Sequence, residues 1–454
     1  MRYRDNPQAR NGERGVTMII VVIAMMSMLA MVALAVDVIT LYAARSEAQR
    51  AADAAALAAA KMLVDAGVTG DPTLINPTVQ STAQTLATQA AQSVAGQATI
   101  AGRSIAAGDV TVTFPNGGNS ASFAINPTVN VTVQNTNLPT FFARIWSRAA
   151  LTVRATATAE GFNPSNSLSL NGGTGVPVIA RGVKPFLLPN CDPVNPNNPV
   201  SNCVGGVPRF FDAATGALVN PGPAPTGIIG ETFNVSSDCT GAGPGCTLGP
   251  ATAGLYYPAQ MPPTTDACPS SCGGGGTNFE TDIECSNPTP ISCSNTAPTA
   301  PIVNSLTVDG TVFPEGGGGP AQSGVECLIH QRPGNGQDTL ATPITYPVQI
   351  QVGNNHPLEG TPSLSANNYI TTSDSLVTVP VYEPLPGSAA PGGPVNIIGF
   401  LQVFINRAWP AGGGPKAGSF DVTIVNVSGC GNGATGTAVY TGSSSAVPIR
   451  LIHR

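Results

Sequence analysis

From Val16 to Val36 the chain reads VTMIIVVIAMMSMLAMVALAV, an apolar block with only Thr17 and Ser27 polar and no charge. About 20 apolar residues rising 1.5 Å each match a hydrocarbon core of ~30 Å, so the block predicts a membrane-crossing helix. A cleaved secretory signal would end at Ala33-Leu34-Ala35, but the apolar block is longer than such a signal needs and the helical pattern runs past that point. Its length and Met/Val/Ile density also argue against the core helix of a soluble protein. The next stretch, Asp37 to Leu63, is DVITLYAARSEAQRAADAAALAAAKML. It lacks Gly and Pro and is dominated by Ala, the best helix former, which predicts that the helix continues for roughly 40 Å more. Glu47, Arg50 and Asp53 stand three apart, a spacing that predicts pairing on one helix face. Ala side chains on another face would let a neighbouring helix or sheet approach closely.

The pattern then changes twice. Pro77–Gly96 places Val79, Ala83, Leu86, Ala90 and Val94 at three- and four-residue intervals, predicting a helix with one apolar stripe. Asp109–Phe114, Thr128–Val133 and Leu151–Thr158 alternate with period two and predict half-buried strands. Between the last two, Pro139–Arg148 predicts a short helix burying Phe141, Phe142, Ile145 and Trp146. Near Gly161 the chain becomes rich in Pro, Gly, Asn and Cys, as expected of turns, long loops and short strands. Apolar runs return at Pro347–Val352, Ser375–Val381, Val395–Ile405, Phe420–Val427 and Val447–Ile452. Their separation by Gly/Pro turns predicts a small sandwich or barrel, with Val395–Ile405 as a central strand.

Composition sharpens this picture. The 454 residues include 52 Gly and 42 Pro, and only 10% are charged. Gly and Pro cost about 1 and 3 kcal/mol inside a helix, which confines long helices to the N-terminal part. With 19 Lys and Arg, a net charge of −6 and no basic stripe among aromatics, nucleic acid is not an expected partner. Arg2, Arg4, Arg10 and Arg14 outweigh Asp5 and Glu13 before the apolar block, an excess that keeps the N-terminus cytoplasmic and sends the remainder out. The ten cysteines all follow the block, an arrangement expected of disulfides in an oxidising compartment. Spacing suggests local loops closed by Cys191/Cys203, Cys239/Cys246, Cys268/Cys272 and Cys285/Cys293, leaving Cys327 and Cys430 to join two strands.

Arg14-Gly15, the apolar block, Val36-Asp37, Leu41-Tyr42, Arg45, Gln49 and the run Ala51-Ala52-Asp53-Ala54-Ala55-Ala56-Leu57-Ala58 resemble the N-terminal module of the TadE/TadG-like family. The resemblance covers about 50 residues, and its specific part is Asp37-x₄-Tyr42-x₂-Arg45-x₃-Gln49-x₃-Asp53. It implies a role in assembling tight-adherence (Flp) pili, with pilin-like proteins as partners through the Ala-rich helix. Prepilin processing in related pilins needs a Gly followed five residues on by Glu. Here Gly15 is followed by Ile20 and Gly12 by Thr17, so no such cleavage is expected. Larger members carry a von Willebrand A domain with an Asp-x-Ser-x-Ser metal site, and Ser373-Asp374-Ser375 lacks that spacing.

Catalytic motifs are not expected either. The three histidines are His330, His356 and His453, and Cys327-x₂-His330 has a zinc-like spacing without the partners to complete a tetrahedron. Cys268, Cys272, Cys285 and Cys293 offer four thiolates only if they escape oxidation. There is no Gly-x-Ser-x-Gly elbow, no phosphate-cradling Gly loop with Lys and no His-Glu-x-x-His; Glu280 and Asp282 are expected to be solvated on a loop.

The sequence therefore predicts a non-enzymatic α+β chain needing no metal or other cofactor, with no small-molecule substrate. Residues 1–15 are a cytoplasmic tail, 16–36 the membrane helix, 37–160 a pilin-like helix-plus-antiparallel-sheet module, 161–340 a Cys-rich loop region and 341–454 a sandwich-like β domain. A ligand-binding or adhesion module using the same anchor is the alternative, and a hydrolase or metal protein a more distant one.

Overall fold

The computed structural model describes residues 9–139, 150–165, 175–194, 203, 206–222, 224, 227–237, 239–240, 247–248, 250–263, 277–293, 298–312, 319–342, 346–357, 369–370, 372–384, 393–410, 418–441 and 445–452. Residues 140–148 of the expected helix, along with Cys246, Cys268, Cys272 and His453, lie outside them. The described residues fall into two compact units, one from Met1–Ala56, Ala91–Thr113 and Asn130–Ala157, the other from Leu57–Ala90, Phe114–Val129 and Thr158–Arg454.

The first unit is organised by helix α1 (Ala9–Asp65), continuous from the apolar block through the Ala-rich stretch. Its apolar part exposes side chains all round from Val16 to Val32, whereas Ala33, Ala44, Ala48, Ala51, Ala52 and Ala55 are buried. The end of helix α2 (Pro77–Gly96) leads into a hairpin of β1 (Thr99–Ile100) and β2 (Arg103–Ser104). Its turn, Ala101-Gly102, takes positive φ at both residues, matching the twist of a tight hairpin. β3 (Val110–Thr113) pairs antiparallel with β4 (Thr128–Pro139), and β5 (Ala150–Gly161) lies on the far side of β4. Val131 and Val133 are fully buried while Thr111 and Thr113 are exposed, the alternation expected of a sheet with one covered face.

Helix α2 is covered along the expected stripe only at Ala83 and Ala90. Its buried stripe is Gln80, Ala83, Ala87, Ala90, Ala91 and Ala95, while Val79, Leu86 and Val94 are only half-buried. Small residues occupy the centre of the covered face because they permit the closest approach of backbones, and the larger aliphatics flank it.

In the second unit a large sheet has the order β13 (Ser305–Val308), β11 (Leu255–Gln260), β7 (Phe186–Pro189), β17 (Leu376–Tyr382), β18 (Pro394–Ala408), β19 (Phe420–Gly429), β8 (Thr232–Ser237). β8 also pairs with β11 and β13 with β18, so the ladder closes into a ring. β18 is central, bonded along its length to β17 and β19. The strands after residue 375 thus build their sheet with β7, β8, β11 and β13 from the Cys-rich region. Phe186 and Leu188 join one core cluster and Leu187 another; Tyr256 and Tyr257 divide the same way, as period-two strands buried on both faces require. Phe186, Tyr256, Phe279 and Phe420 interlock, with Phe186 ring centroids 5.0 Å from Tyr256 and 4.7 Å from Phe420. Helices α4 (Asn278–Glu284) and α5 (Pro320–Leu328) pack on the first cluster; α3 (Ser120–Ile125) buries Phe123 elsewhere. Glu280 and Asp282 therefore sit on a helix instead of the expected loop.

Smaller sheets surround this ring: β12 (Ile291–Cys293), β6 (Val178–Ala180) and β20 (Val439–Tyr440); β14 (Thr339–Leu340), β15 (Ile350–Gln351) and β16 (Tyr369–Ile370); and β9 (Cys239–Thr240) with β10 (Thr247–Leu248). The expected strand at 347–352 is reduced to β15. The last strand, β21 (Ile449–Ile452), pairs with Thr158–Gly161 of β5, where Arg450 makes an ion pair with buried Glu160.

Cys191–Cys203 is bridged as expected. Cys293, however, bonds Cys430 across 137 residues, and Cys285 and Cys327 are disulfide-bonded too, which overturns the pairings Cys285/Cys293 and Cys327/Cys430. Sequence proximity is the wrong guide here because Cys293 ends β12 and Cys430 follows β19, and both enter the same core cluster. No described cysteine is free.

The end of α1 lies inside the second unit. Val68 N–H donates to Leu63 O at 3.1 Å and Gly67 N–H to Val64 O at 2.9 Å, the two bonds of a Schellman cap. Gly67 has φ +77°, and a Cβ there would lie 3.1 Å from Val425 O. Asn426 donates from Nδ2 to Val64 O at 2.7 Å and to Gln402 Oε1 at 2.6 Å, and Gln402 Nε2 donates to Asp65 Oδ1 at 3.1 Å. Asn163 adds bonds to Thr69 O and Val427 O at 2.7 and 2.9 Å. Gly67→Ala is expected to destabilise the protein by about 1–2 kcal/mol, the cost of left-handed backbone for an L-residue, in urea unfolding of the detergent-solubilised chain. Gly108→Ala, where a Cβ meets nothing within 4 Å, should be near neutral; equal effects would contradict the assignment.

Candidate functional site

The residues singled out along α1 separate by depth. Asp37 is buried, 4% exposed, on the same face as Ala33, Ala44 and Ala48. Tyr42 is 75% exposed and Arg45 is exposed as well. Gln49 and Asp53 are half-buried, with Gln49 Nε2 donating to Asp53 Oδ1 at 2.8 Å and to Thr156 O of β5 at 3.3 Å. This i,i+4 pair therefore fastens the helix to the sheet.

The expected pairing of Glu47, Arg50 and Asp53 is replaced by other partners. Glu47 Oε2 accepts from Ala101 N–H at 2.7 Å in the β1–β2 turn, and Arg50 Nε donates to Ser46 O at 3.5 Å. Backbone groups of the turn need a partner, and Glu47 supplies it in preference to a solvated side chain. The Ala face is likewise spent: Ala48, Ala52, Ala55 and Ala56 have no exposed surface. That part of the Ala-rich stretch packs against the chain itself, while Ala43 and Ala54 stay exposed. What the first unit leaves open on the helix is the opposite side, with Val38, Ile39, Tyr42, Arg45, Ser46 and Arg50.

The second unit holds a cleft of about 360 Å³ whose polar lining includes Lys61, Asp65, Lys184, His356, Ser373 and Asp374. Lys184, 3% exposed, donates from Nζ to Ile283 O and Cys285 O, both at 2.7 Å, and so closes the C-terminal end of α4. Burial pulls its pKa down to about 8 against the opposing pull of Asp374 and Asp282. His330 Nε2 lies 3.0 Å from Asp374 Oδ2, and this hydrogen bond holds the Asp374 carboxyl below its ordinary range. Ser373 Oγ donates to Asp338 Oδ2 at 2.5 Å, and His356 Nε2 is 3.8 Å from the same oxygen. Cys327 has its sulfur in a disulfide and His330 is engaged with Asp374, so Cys327 and His330 are not a metal-ligand pair. No group of three or more described His, Cys, Asp or Glu side chains is arranged to hold a metal.

A second polar pair is fully buried. Asp192 and Glu231 are 0% and 1% exposed. Burial first, and the neighbouring Asp192 carboxylate second, push Glu231 up to about 9, so it is held as a neutral acid beside Asp192. Sequence reasoning missed Lys184, Asp192, Glu231 and Asp338. Each stands alone among loop residues, and only long-range folding supplies its partner.

Comparison with known proteins places the N-terminal module. Residues 15–62 match the family described as "Putative Flp pilus-assembly TadE/G-like". The match ends three residues before α1 does and contains Asp37, Tyr42, Arg45, Gln49 and Asp53. No curated protein and no solved structure matches the chain.

Glu231 keeps its proton in the folded chain up to about pH 9 and loses it near 4.5 when unfolded. The folded state binds the extra proton across that interval, so stability falls as pH rises through it. Glu231→Gln should flatten the decline in unfolding temperature between about pH 5 and about pH 9. A slope identical to wild type would refute the buried-acid assignment.

Proposed function

We propose that this chain is a membrane-anchored, extracytoplasmic structural or accessory protein of Flp-type pilus assembly. The observation that carries the reading is the coincidence of the matched segment with the division of α1. Residues 15–62 take in both the exposed apolar span and the buried Ala stretch, so the module couples an anchor to a folded body. Crossing the membrane is supported by one helix long and apolar enough to do so. Orientation with the N-terminus inside is supported by the arginines before Val16, and delivery to an oxidising compartment by the disulfides.

Within that setting the chain acts as a fixed assembly factor, not a polymerising subunit. Gly15 and Gly12 lack the downstream Glu of prepilin processing, so the helix keeps its charged N-terminal extension. The reading is also non-catalytic. Lys184 is engaged with two carbonyls and His330 with Asp374, which leaves their chemistry committed to structure. The charged cleft favours a second reading, a ligand-binding module carried on the same anchor.

Deleting the gene from its host should abolish surface Flp pili in electron micrographs while the major pilin is still made, and the intact gene should restore them. Normal piliation of the deletion strain would overturn the assembly role and favour the ligand-binding reading. Washing membranes with sodium carbonate should leave the full-length chain in the pellet; its release uncleaved into the supernatant would sink the anchor.

A further inference from the structure

The two sides of α1 place the outer membrane boundary differently. On one side Asp37 interrupts the apolar sequence and suggests an exit there. Asp37 is covered by the chain itself, however, as is Ala33 one turn earlier, so neither meets the surroundings of the helix. On the other side the exposed apolar surface continues through Val38, Ile39 and Tyr42, which are 43%, 67% and 75% exposed. It gives way to Arg45, Ser46 and Arg50.

From this asymmetry we infer that the helix remains in contact with lipid on its open side as far as Tyr42, with Arg45 reaching the headgroups, while its covered side is already shielded by folded protein at Ala33. This rests on the anchored reading above. Val16 to Tyr42 is about 40 Å of helix at 1.5 Å per residue. That exceeds the ~30 Å hydrocarbon core but matches the ~40–45 Å of a bilayer with its headgroups. A Tyr followed by an Arg on one face is the order an outward-going helix meets: an aromatic side chain at the interface, then a guanidinium group reaching anionic phosphates. A carboxylate at the depth of Asp37 is tolerable because the protein, not lipid, surrounds it. Lipid is the occupant argued for because the exposed surface of Val38 and Ile39 is continuous with that of the preceding span.

The test uses the purified full-length protein in vesicles of phosphatidylethanolamine and phosphatidylglycerol. Single cysteines replace Met28, Val38, Ile39, Tyr42 or Ser46 and are labelled with a membrane-impermeant maleimide without reductant. Val38→Cys, Ile39→Cys and Tyr42→Cys should react about tenfold or more slowly than Ser46→Cys and about as slowly as Met28→Cys, as groups withdrawn from water at the interface do. If they react like Ser46→Cys while Met28→Cys stays protected, the anchor stands and this inference falls. If Met28→Cys reacts as well, the anchored reading itself falls. Protection in native membranes but not in vesicles would identify a protein cover and overturn the lipid assignment. A second measurement is independent of cysteine chemistry: brominated lipids should quench Tyr42→Trp and leave Arg50→Trp unquenched, and the reverse would overturn the inference.

Discussion

A helix that ends inside a protein must find partners for its last carbonyls, and the centre of the second unit is organised around how α1 finds them. The Schellman cap at Gly67 satisfies Leu63 O and Val64 O from the backbone, and Asn426 adds a side-chain bond to Val64 O. Asn426 belongs to β19, and its other neighbour, Gln402, belongs to β18, the strand at the heart of the ring. Asp65 closes the chain of bonds through Gln402 and pairs with Lys61 one turn back. A polar network in so apolar a place is stable only when its members are satisfied, which ties helix position to strand register. Exposed apolar length and buried polar terminus are thus two ends of one element.

The Ala-rich stretch solves a related problem in the first unit. Ala contributes little area per residue, so a helix buried through Ala gains less from hydrophobic transfer than one buried through Leu. It gains instead from close contact, since small side chains let backbones approach and recover dispersion over many atoms. Ala in a helix also loses no side-chain rotamer freedom when covered. Gln49 and Glu47 then supply direction, bonding Thr156 O and Ala101 N–H and so fixing which side of the helix is covered. The open side, with Tyr42 and Arg45, is what remains for the environment.

Much of this was legible in sequence. Periodicity located α1 and the whole of Pro77–Gly96, and alternation located β3, β4, β5, β17, β18 and β19, because those signals are local. The same periodicity was right about Ala83 and Ala90 of α2 but overrated Val79, Leu86 and Val94, whose places in the core are taken by Ala87, Ala91 and Ala95. β7 and β11 were hidden because Phe186–Pro189 and Leu255–Gln260 are short, contain Pro and sit among loops. Their place in the ring depends on partners at Val381 and Val308. Lys184 and Glu231 carry no motif; each owes its altered acidity to burial that only the assembled fold creates. Cys293 was assigned to a near neighbour because spacing cannot reveal that β12 and the end of β19 converge.

The bond between Cys293 and Cys430 also sets a schedule. In a chain made from its N-terminus, Cys191 meets Cys203 after only 12 further residues. Cys293 must wait for 137, by which time β17, β18 and β19 have all been made. Until Cys430 arrives, Cys293 is a reduced thiol beside others, open to the wrong partner. Correct pairing therefore depends on keeping Cys293 uncommitted until the strands between it and Cys430 have been made.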